Sequence, residues 1–195
     1  MAIVTKFSDL DLTKTYNYSD YLLWQFSERV ELIKGFINKM SPAPNLSHQK
    51  ISINLSSALY GFLKKSPCSV FAAPFDVRLP IKSANKDTTV VQPDLCIICD
   101  ESKLDKRGCN GAPDLMVEIV SQSNSKHDVK TKFELYQEAG VLEYWIIEPY
   151  DKILFVYTLI DGKYIGLQPQ TEGDIIKSPL FPDIQITLDD VFYRV

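Results

Sequence analysis

Apolar positions recur along this chain with two periods, and the places where the period changes divide it into elements. Between Asp20 and Phe26 the residues Tyr21, Leu22, Leu23, Trp24 and Phe26 beside a polar flank predict a short amphipathic helix. From Glu31 to Met40 apolar and polar residues alternate as in a strand with one covered face, and Ser41-Pro42-Ala43-Pro44 stops it. From Ser47 onward Ile51, Leu55, Leu59 and Phe62 recur at spacings of four, four and three, which marks one face of a helix ending near Lys65. Ser69 to Leu79 and Thr88 to Cys99 are rich in β-branched and apolar residues, and the polar run Lys82 to Asp87 between them predicts a long hairpin with Asp94 on its second strand.

After a polar loop from Asp100 to Gly111, Leu115 to Val120 is the continuous apolar run of a central strand covered on both faces, interrupted by Glu118. Ser121 to Ser125 is rich in turn formers. Val129, Phe133 and Tyr136 then form a helical stripe that ends at Gly140, a residue suited to a helix C-terminus. Leu142 to Ile147 is a second buried strand, closed by Glu148-Pro149. Strand, helix, strand in that order implies a crossover joining two parallel neighbours, with the earlier part of the sheet antiparallel. A hairpin around Asp161-Gly162 and short strands at Asp174 to Ile176 and Ile184 to Ile186 complete the tail, expected at the sheet periphery. The fold class is therefore α/β in the broad sense, an α+β mixed sheet flanked by helices. The expected organisation is one domain over 1–195, with its core over about 20–150 and peripheral strands over 151–195.

Composition narrows this picture. At 195 residues, 45% hydrophobic and 24% charged, the chain is of ordinary globular type. No run approaches the roughly 20 apolar residues of a membrane span, and Met1 to Lys6 lacks the pattern of a signal peptide, so a cytoplasmic protein with no membrane contact is expected. In that reducing setting Cys68, Cys96, Cys99 and Cys109 are expected as free thiols. Cys96 and Cys99 would point to opposite faces of one strand, and no second pair has suitable spacing, which argues against structural zinc. The formal net charge of −4 argues against coating nucleic acid by bulk electrostatics, although the basic residues around Lys126 to Lys132 leave a local patch open.

Glu118 needs a physical explanation, because an unpaired charge in an apolar strand costs several kcal/mol, on the order of what a domain can spare. It can be protonated, ion-paired or bound to a metal. Asp94, in Gln92-Pro93-Asp94-Leu95, puts a second acid on a neighbouring strand. Carboxylate oxygens are the ligands that Mg²⁺ and Mn²⁺ prefer. Two acids and a lysine make a minimal kit for cleaving phosphodiesters: metal to activate water, lysine to stabilise the charge that develops.

Taken in order, Glu31-Leu32-Ile33-Lys34-Gly35, Ser41-Pro42 with His48 downstream, Gln92-Pro93-Asp94, Pro113-Asp114 through Glu118 to Ser121, Asp128 to Lys132 to Tyr136, and Gly140-Val141-Leu142-Glu143-Tyr144-Trp145 resemble the Uma2, or DUF820, family, which is grouped with restriction endonucleases. The resemblance implies a restriction-endonuclease-like PD-(D/E)XK core and a Mg²⁺- or Mn²⁺-dependent endonuclease acting on DNA. Asp94 and Glu118 would be the metal ligands, with Glu31 an optional further one. One position departs from the motif, since Val120 stands where its lysine would be. The resemblance points to Lys132 on the following helix as the replacement, because it shares a face with Asp128 and Tyr136 four residues to either side. Lys130 lies on another face and is the weaker candidate. Asp114 reads as a loop cap, Ser121 as a strand terminator or phosphate contact, and His48 as an ordinary polar contact at a helix start. The alternative is a catalytically inactive nucleic-acid-binding or self-associating domain on the same fold. A homodimer is expected from the apolar Phe181, Phe192 and Tyr193 near the C-terminus and the dimeric habit of relatives.

Overall fold

The computed structural model describes residues 3–40, 45–120 and 126–195, with side chains from residue 128 in the last of these. Among the described residues the α-helices are α1 (Tyr18–Tyr21), α2 (Leu46–Leu63), α3 (Lys126–Ala139) and α4 (Leu188–Val191). The first eight strands are β1 (Val30–Ile33), β2 (Phe36–Lys39), β3 (Ser69–Ala72), β4 (Val77–Arg78), β5 (Val90–Val91), β6 (Leu95–Ile98), β7 (Leu104–Asp105) and β8 (Gly108–Asn110). They are followed by β9 (Leu115–Ile119), β10 (Glu143–Glu148), β11 (Ile153–Ile160), β12 (Lys163–Gly166) and β13 (Gln170–Thr171). One sheet runs β12-β11-β10-β9-β6-β3 with β13 on β11, and a second runs β2-β1-β5-β4-β8-β7.

The strand, helix, strand reading of the middle of the chain holds: β9 and β10 are parallel neighbours joined through α3. Pairing from β3 to β6 and from β6 to β9 is antiparallel. On β9, period two sends Leu115, Val117 and Ile119 to one face, against Ile51, Leu55, Leu59 and Leu63 of α2. Met116 goes to the other, with Leu135 and Tyr136 of α3. Each of these fully buried side chains contributes roughly 1.5–3 kcal/mol.

The run expected as one strand from Glu31 to Met40 is a hairpin. Lys34 and Gly35 both take positive φ, 51° and 91°, and turn the chain in two residues. A Cβ on Gly35 would lie 2.9 Å from that of Thr15, so this turn requires glycine. The helix expected from Asp20 to Phe26 is shorter and earlier, capped by Asn17, whose side chain accepts from the backbone N–H of Ser19 and Asp20. Ser41 to Pro44 and Ser121 to Ser125 lie outside the described residues.

The long hairpin needs the most consequential correction. Each of its two strands divides: β3 and β6 pair in the first sheet, whereas β4 and β5 pair in the second. The breaks fall at Ala73-Pro74 and Gln92-Pro93, where proline offers no N–H to continue a ladder. Asp94 therefore sits at the corner between the two sheets, directly before β6, rather than within a strand. The expected polar loop from Asp100 to Gly111 contains the small β7–β8 hairpin.

The tail also differs. β11 and β12 form the expected hairpin around Asp161-Gly162. Beyond β13 the chain folds back over the α2 face, where Ile176, Ile184, Ile186, Leu188 and Phe192 join the core. The short strands expected there reduce to one bridge, Ile175 to Thr187. Phe192 is 2% exposed and Phe181 packs edge-on against Phe62 with ring centroids 6.1 Å apart. Of the three apolar residues that suggested a dimer only Tyr193 is exposed, so that motive for dimerisation falls away. Cys68 and Cys99 are joined in a disulfide, against the expectation of free thiols, because antiparallel pairing of β3 and β6 brings their flanks together. Cys96 and Cys109 are free and buried.

Glu143, at the start of β10, ties the tail down. Its fully buried carboxylate accepts from Trp145 Nε1 at 2.7 Å, Ser178 Oγ at 2.6 Å and the backbone N–H of Leu180 at 3.0 Å. Burial raises its pKa, and these donors oppose the rise. Glu143→Ala leaves three donors without their acceptor and should lower stability by roughly 2–4 kcal/mol in denaturant unfolding, with earlier proteolysis of the tail. A loss under about 0.5 kcal/mol, no more than an ordinary surface substitution, would show that the carboxylate does not anchor the tail.

Candidate active site

On β9 the same alternation that buries Met116 aims Glu118 at α3, where Lys132 and Tyr136 stand one helical turn apart. Both reach the same oxygen: Lys132 Nζ lies 3.0 Å and the Tyr136 hydroxyl 2.6 Å from Glu118 Oε1. Glu31, from β1 in the other sheet, brings its Oε1 to 3.2 Å from Lys132 Nζ. That oxygen also accepts from the backbone N–H of Gln92, and Asn38 Nδ2 donates to Oε2. Glu31, Glu118 and Lys132 are 1%, 8% and 6% exposed, so this ion cluster is out of water.

Asp94 stands at the open side. Leu95 pairs with Val117 and Cys96 with Met116, so continuing the register by one residue sets Asp94 opposite Glu118. Its Oδ2 accepts from the backbone N–H of Ile119 at 2.7 Å, and its Oδ1 lies 3.1 Å from His48 Nε2 on α2. A cleft of about 570 Å³ opens on Asp94 and His48.

The charges are not balanced. Burial pushes the Glu118 carboxyl up to about 8; the Lys132 ammonium pulls against this, Asp94 and Glu31 add to it, and the Tyr136 hydroxyl favours the ionised form. Burial works against the charge on Lys132, but Glu118, Glu31 and Asp128 outweigh it and raise its pKa. The ammonium stays charged, and Glu118 bears the cost of burial, which Asp94 and Glu31 increase. Its donor set with Asp94, two carboxylates facing each other where β6 begins beside β9, fits a hard divalent cation of the Mg²⁺ or Mn²⁺ type, which takes one or two protein carboxylates and completes its shell with water and substrate oxygens. Among the described residues no group of three or more His, Cys, Asp or Glu side chains is arranged to hold a metal ion.

The structure thus brings Glu118, Lys132 and Glu31 into contact and sets Asp94 beside them. Lys130 points away, with its side chain 74% exposed and 3.7 Å from Glu134. Asp114 caps the loop before β9 by accepting from the N–H of Cys99 at 2.8 Å. Ser121 lies outside the described residues. His48 is more than the polar helix-start contact expected of it, since it holds Asp94, and its Nδ1 is buried with no hydrogen-bond partner among the described residues. Tyr136 was read in the apolar stripe and on the Lys132 face without a role at the site; the signal for that role is its hydroxyl four residues from Lys132 on the same face.

A family model named Uma2 and described as "Putative restriction endonuclease" matches residues 18–189. The chain belongs to the Uma2 family. A crystal structure described as "a putative nuclease belonging to DUF820", from Anabaena variabilis, is 18% identical to this Uma2 chain, covering 91% of it and 97% of its own length with a TM-score of 0.68. The fold is accordingly restriction-endonuclease-like, as the motifs implied. No curated protein matches the chain. Among the described residues of this Uma2 protein no helix is long and apolar enough to cross a membrane.

The raised pKa of Glu118 fixes the sign of a pH effect on stability in the absence of metal. Folded, the group keeps its proton up to about 8; unfolded, it loses it near 4.5. The native state therefore binds more protons in that window, and wild-type stability falls as pH rises through it. Lys132 contributes nothing there, since its unfolded value of 10.5 and its higher folded value both lie above. Glu118→Gln removes the titration while keeping an acceptor for Lys132 and Tyr136. In EDTA the variant should match wild type near pH 4.5 and exceed it by on the order of 1–3 kcal/mol at pH 8.5. Parallel pH profiles from chemical denaturation would contradict the assignment.

Proposed function

We propose that this Uma2 protein is a divalent-metal-dependent endonuclease that hydrolyses DNA phosphodiester bonds. The observation that carries the reading is the placement of one lysine against Glu118, with Asp94 across the strand pair and open to the cleft. Asp94 and Glu118 would hold Mg²⁺ or Mn²⁺. When bound, the cation supplies neutralisation of phosphate charge and a water of lowered pKa.

The remaining chemistry belongs to the chain. Lys132 keeps its proton beside the cut, and its ammonium stabilises the negative charge that grows on the phosphate in the transition state. Glu31 and Glu118 both hold the Lys132 ammonium, at 3.2 and 3.0 Å, so it is aimed before substrate arrives. Tyr136 fixes Glu118 by donating to Oε1, and Ile119 and His48 fix Asp94 at its two oxygens. These groups are held in place by one another before substrate binds, which is the condition under which fixed charges contribute most.

A specific observation favours a second reading, a catalytically inactive nucleic-acid-binding domain: Glu31, Glu118 and Lys132 already satisfy one another in a buried cluster. The two readings part in one experiment. Purified protein is incubated with mixed DNA substrates in Mn²⁺, Mg²⁺ or EDTA. Under the endonuclease reading cleavage requires metal, Asp94→Ala and Glu118→Ala abolish it, and Lys132→Met slows it by roughly 10²–10³. Lys130→Met leaves turnover near wild type. Cleavage by Asp94→Ala at the wild-type rate would sink the endonuclease reading.

Binding can be followed without turnover. Mn²⁺ at a hundredfold excess over its dissociation constant should stabilise the native state by roughly 2.7 kcal/mol. Asp94→Asn should fold and lose most of that gain. If melting of wild type ignores millimolar Mn²⁺, the acids form no metal site and the inactive binding domain is the better reading.

A further inference from the structure

The cleft that ends at Asp94 and His48 has an aromatic wall the catalytic cluster does not use. Tyr21, Trp24 and Phe26 line it, each half-buried. Trp24 is braced by Tyr16, Tyr21 and Phe26 at centroid separations of 5.3, 5.5 and 6.0 Å. Beside these rings are groups that can hydrogen-bond: Arg29 and Gln92 also line the cleft, and Arg29 Nη2 donates to Gln92 Oε1 at 3.3 Å. Gln92 joins the cleft to the catalytic cluster, because its backbone N–H is the one held by Glu31.

A second cleft, of about 400 Å³, shares Pro74 and Gln92 with the first and is lined by the exposed Lys106 and Arg107 at the tip of the β7–β8 hairpin. Of its acids, Asp76 accepts from the Gln92 amide, and Asp105 accepts from Arg78 and from the backbone N–H of Arg107. The residues shared by the two clefts therefore link Asp94, by way of three aromatic rings, to the exposed Lys106 and Arg107. The charge balance is informative. Glu28 and Asp94 offset Arg29 in the first cleft, and the whole chain carries −4, so a bound polyanion has to gain affinity from ring faces rather than from many phosphate contacts. Stacking on aromatic side chains provides this for unstacked bases, whose π-faces are free, and not for bases inside a duplex.

We propose that the aromatic cleft seats an unstacked nucleotide of the DNA strand to be cut, with the flanking backbone leading to Lys106 and Arg107; resting on the endonuclease reading above, this makes the substrate single-stranded or locally splayed DNA rather than continuous duplex. The volume of about 570 Å³ is ample for one nucleoside.

Tryptophan fluorescence tests it with metal chelated, so that nothing is cut. Of the two tryptophans Trp145 is fully buried, and quenching by added DNA reports on Trp24. A short oligothymidylate should quench, and should bind about tenfold or more tighter than a blunt duplex of the same length. Phe26→Leu keeps apolar bulk but removes a ring, and should weaken single-strand binding several-fold. Lys106→Ala/Arg107→Ala changes only exposed side chains; it should weaken binding and lower the salt slope by about 1.4, the value for two single-strand phosphates. Equal affinity for the duplex, absence of quenching, or binding indifferent to both variants overturns the proposal. Cleavage in Mn²⁺ is scored separately: quenching without cleavage keeps the cleft and removes the nuclease, whereas duplex cleavage without quenching does the reverse.

Discussion

Lys132 carries a positive charge into a place where two carboxylates are already out of water, and much of the architecture follows from satisfying that charge. A buried ammonium without partners would cost several kcal/mol, on the order of a domain's whole net stability. Its partners come from different parts of the chain: Glu118 from the central strand of one sheet, Glu31 from a hairpin in the other. The ion cluster is thus a joint between two sheets as well as a candidate catalytic centre. Such a joint favours one arrangement strongly, because displacing either acid leaves a charge uncompensated. It leaves an acid to spare, and Asp94 and Glu31 add to the upward push on Glu118 that its burial begins.

That surplus gives the corner at Gln92-Pro93-Asp94 its meaning. Pro93 ends the β5 ladder, the chain passes from one sheet to the other, and Asp94 emerges opposite Glu118 with its oxygens held by Ile119 and His48. A strand running straight through would keep Asp94 within the regular ladder of a single sheet. The break instead puts it where the cleft begins, while Gln92, two residues earlier, serves Glu31 with its backbone and the aromatic cleft with its side chain. Proline spacing in the sequence is in this way a statement about where negative charge meets solvent.

Much of this was legible before the fold was known, and what was missed has physical causes. α2, α3 and the β9–β10 crossover followed from period and capping alone, since long periodic segments with one buried face leave few alternatives. Glu118 was conspicuous because nothing else in Leu115 to Val120 is polar. The turn at Lys34-Gly35 was hidden, because alternation continues through a two-residue hairpin as it would through a strand. The split of the long hairpin between two sheets was hidden too: each proline was visible, but a sheet change depends on what the next residues pair with. His48 could not be assigned, because its role rests on Asp94, 46 positions away in the chain. The burial of Phe192 depended on the tail returning over α2, for which local pattern carries no signal.

The position of the lysine repays closer argument. Val120 follows Glu118 by two and continues its alternation, so a lysine there would leave the strand on the side of α3. Lys132 enters the same space from the helix and meets the same carboxylate oxygen. The two solutions place one charge alike but differ in what holds it. A lysine on β9 would inherit its position from strand pairing with β10, whereas Lys132 inherits its own from the docking of α3. That docking rests on aromatic contacts: Phe133 meets Tyr157 and Tyr164 at 4.9 and 5.1 Å, and Tyr136 meets Tyr144 at 5.1 Å. Phe133 is the residue next to Lys132, so repacking this cluster displaces the ammonium directly. The place of Lys132 on the helix therefore couples the charge at the candidate catalytic centre to rings contributed by β10, β11 and β12, strands that carry none of the four ionisable groups proposed for it.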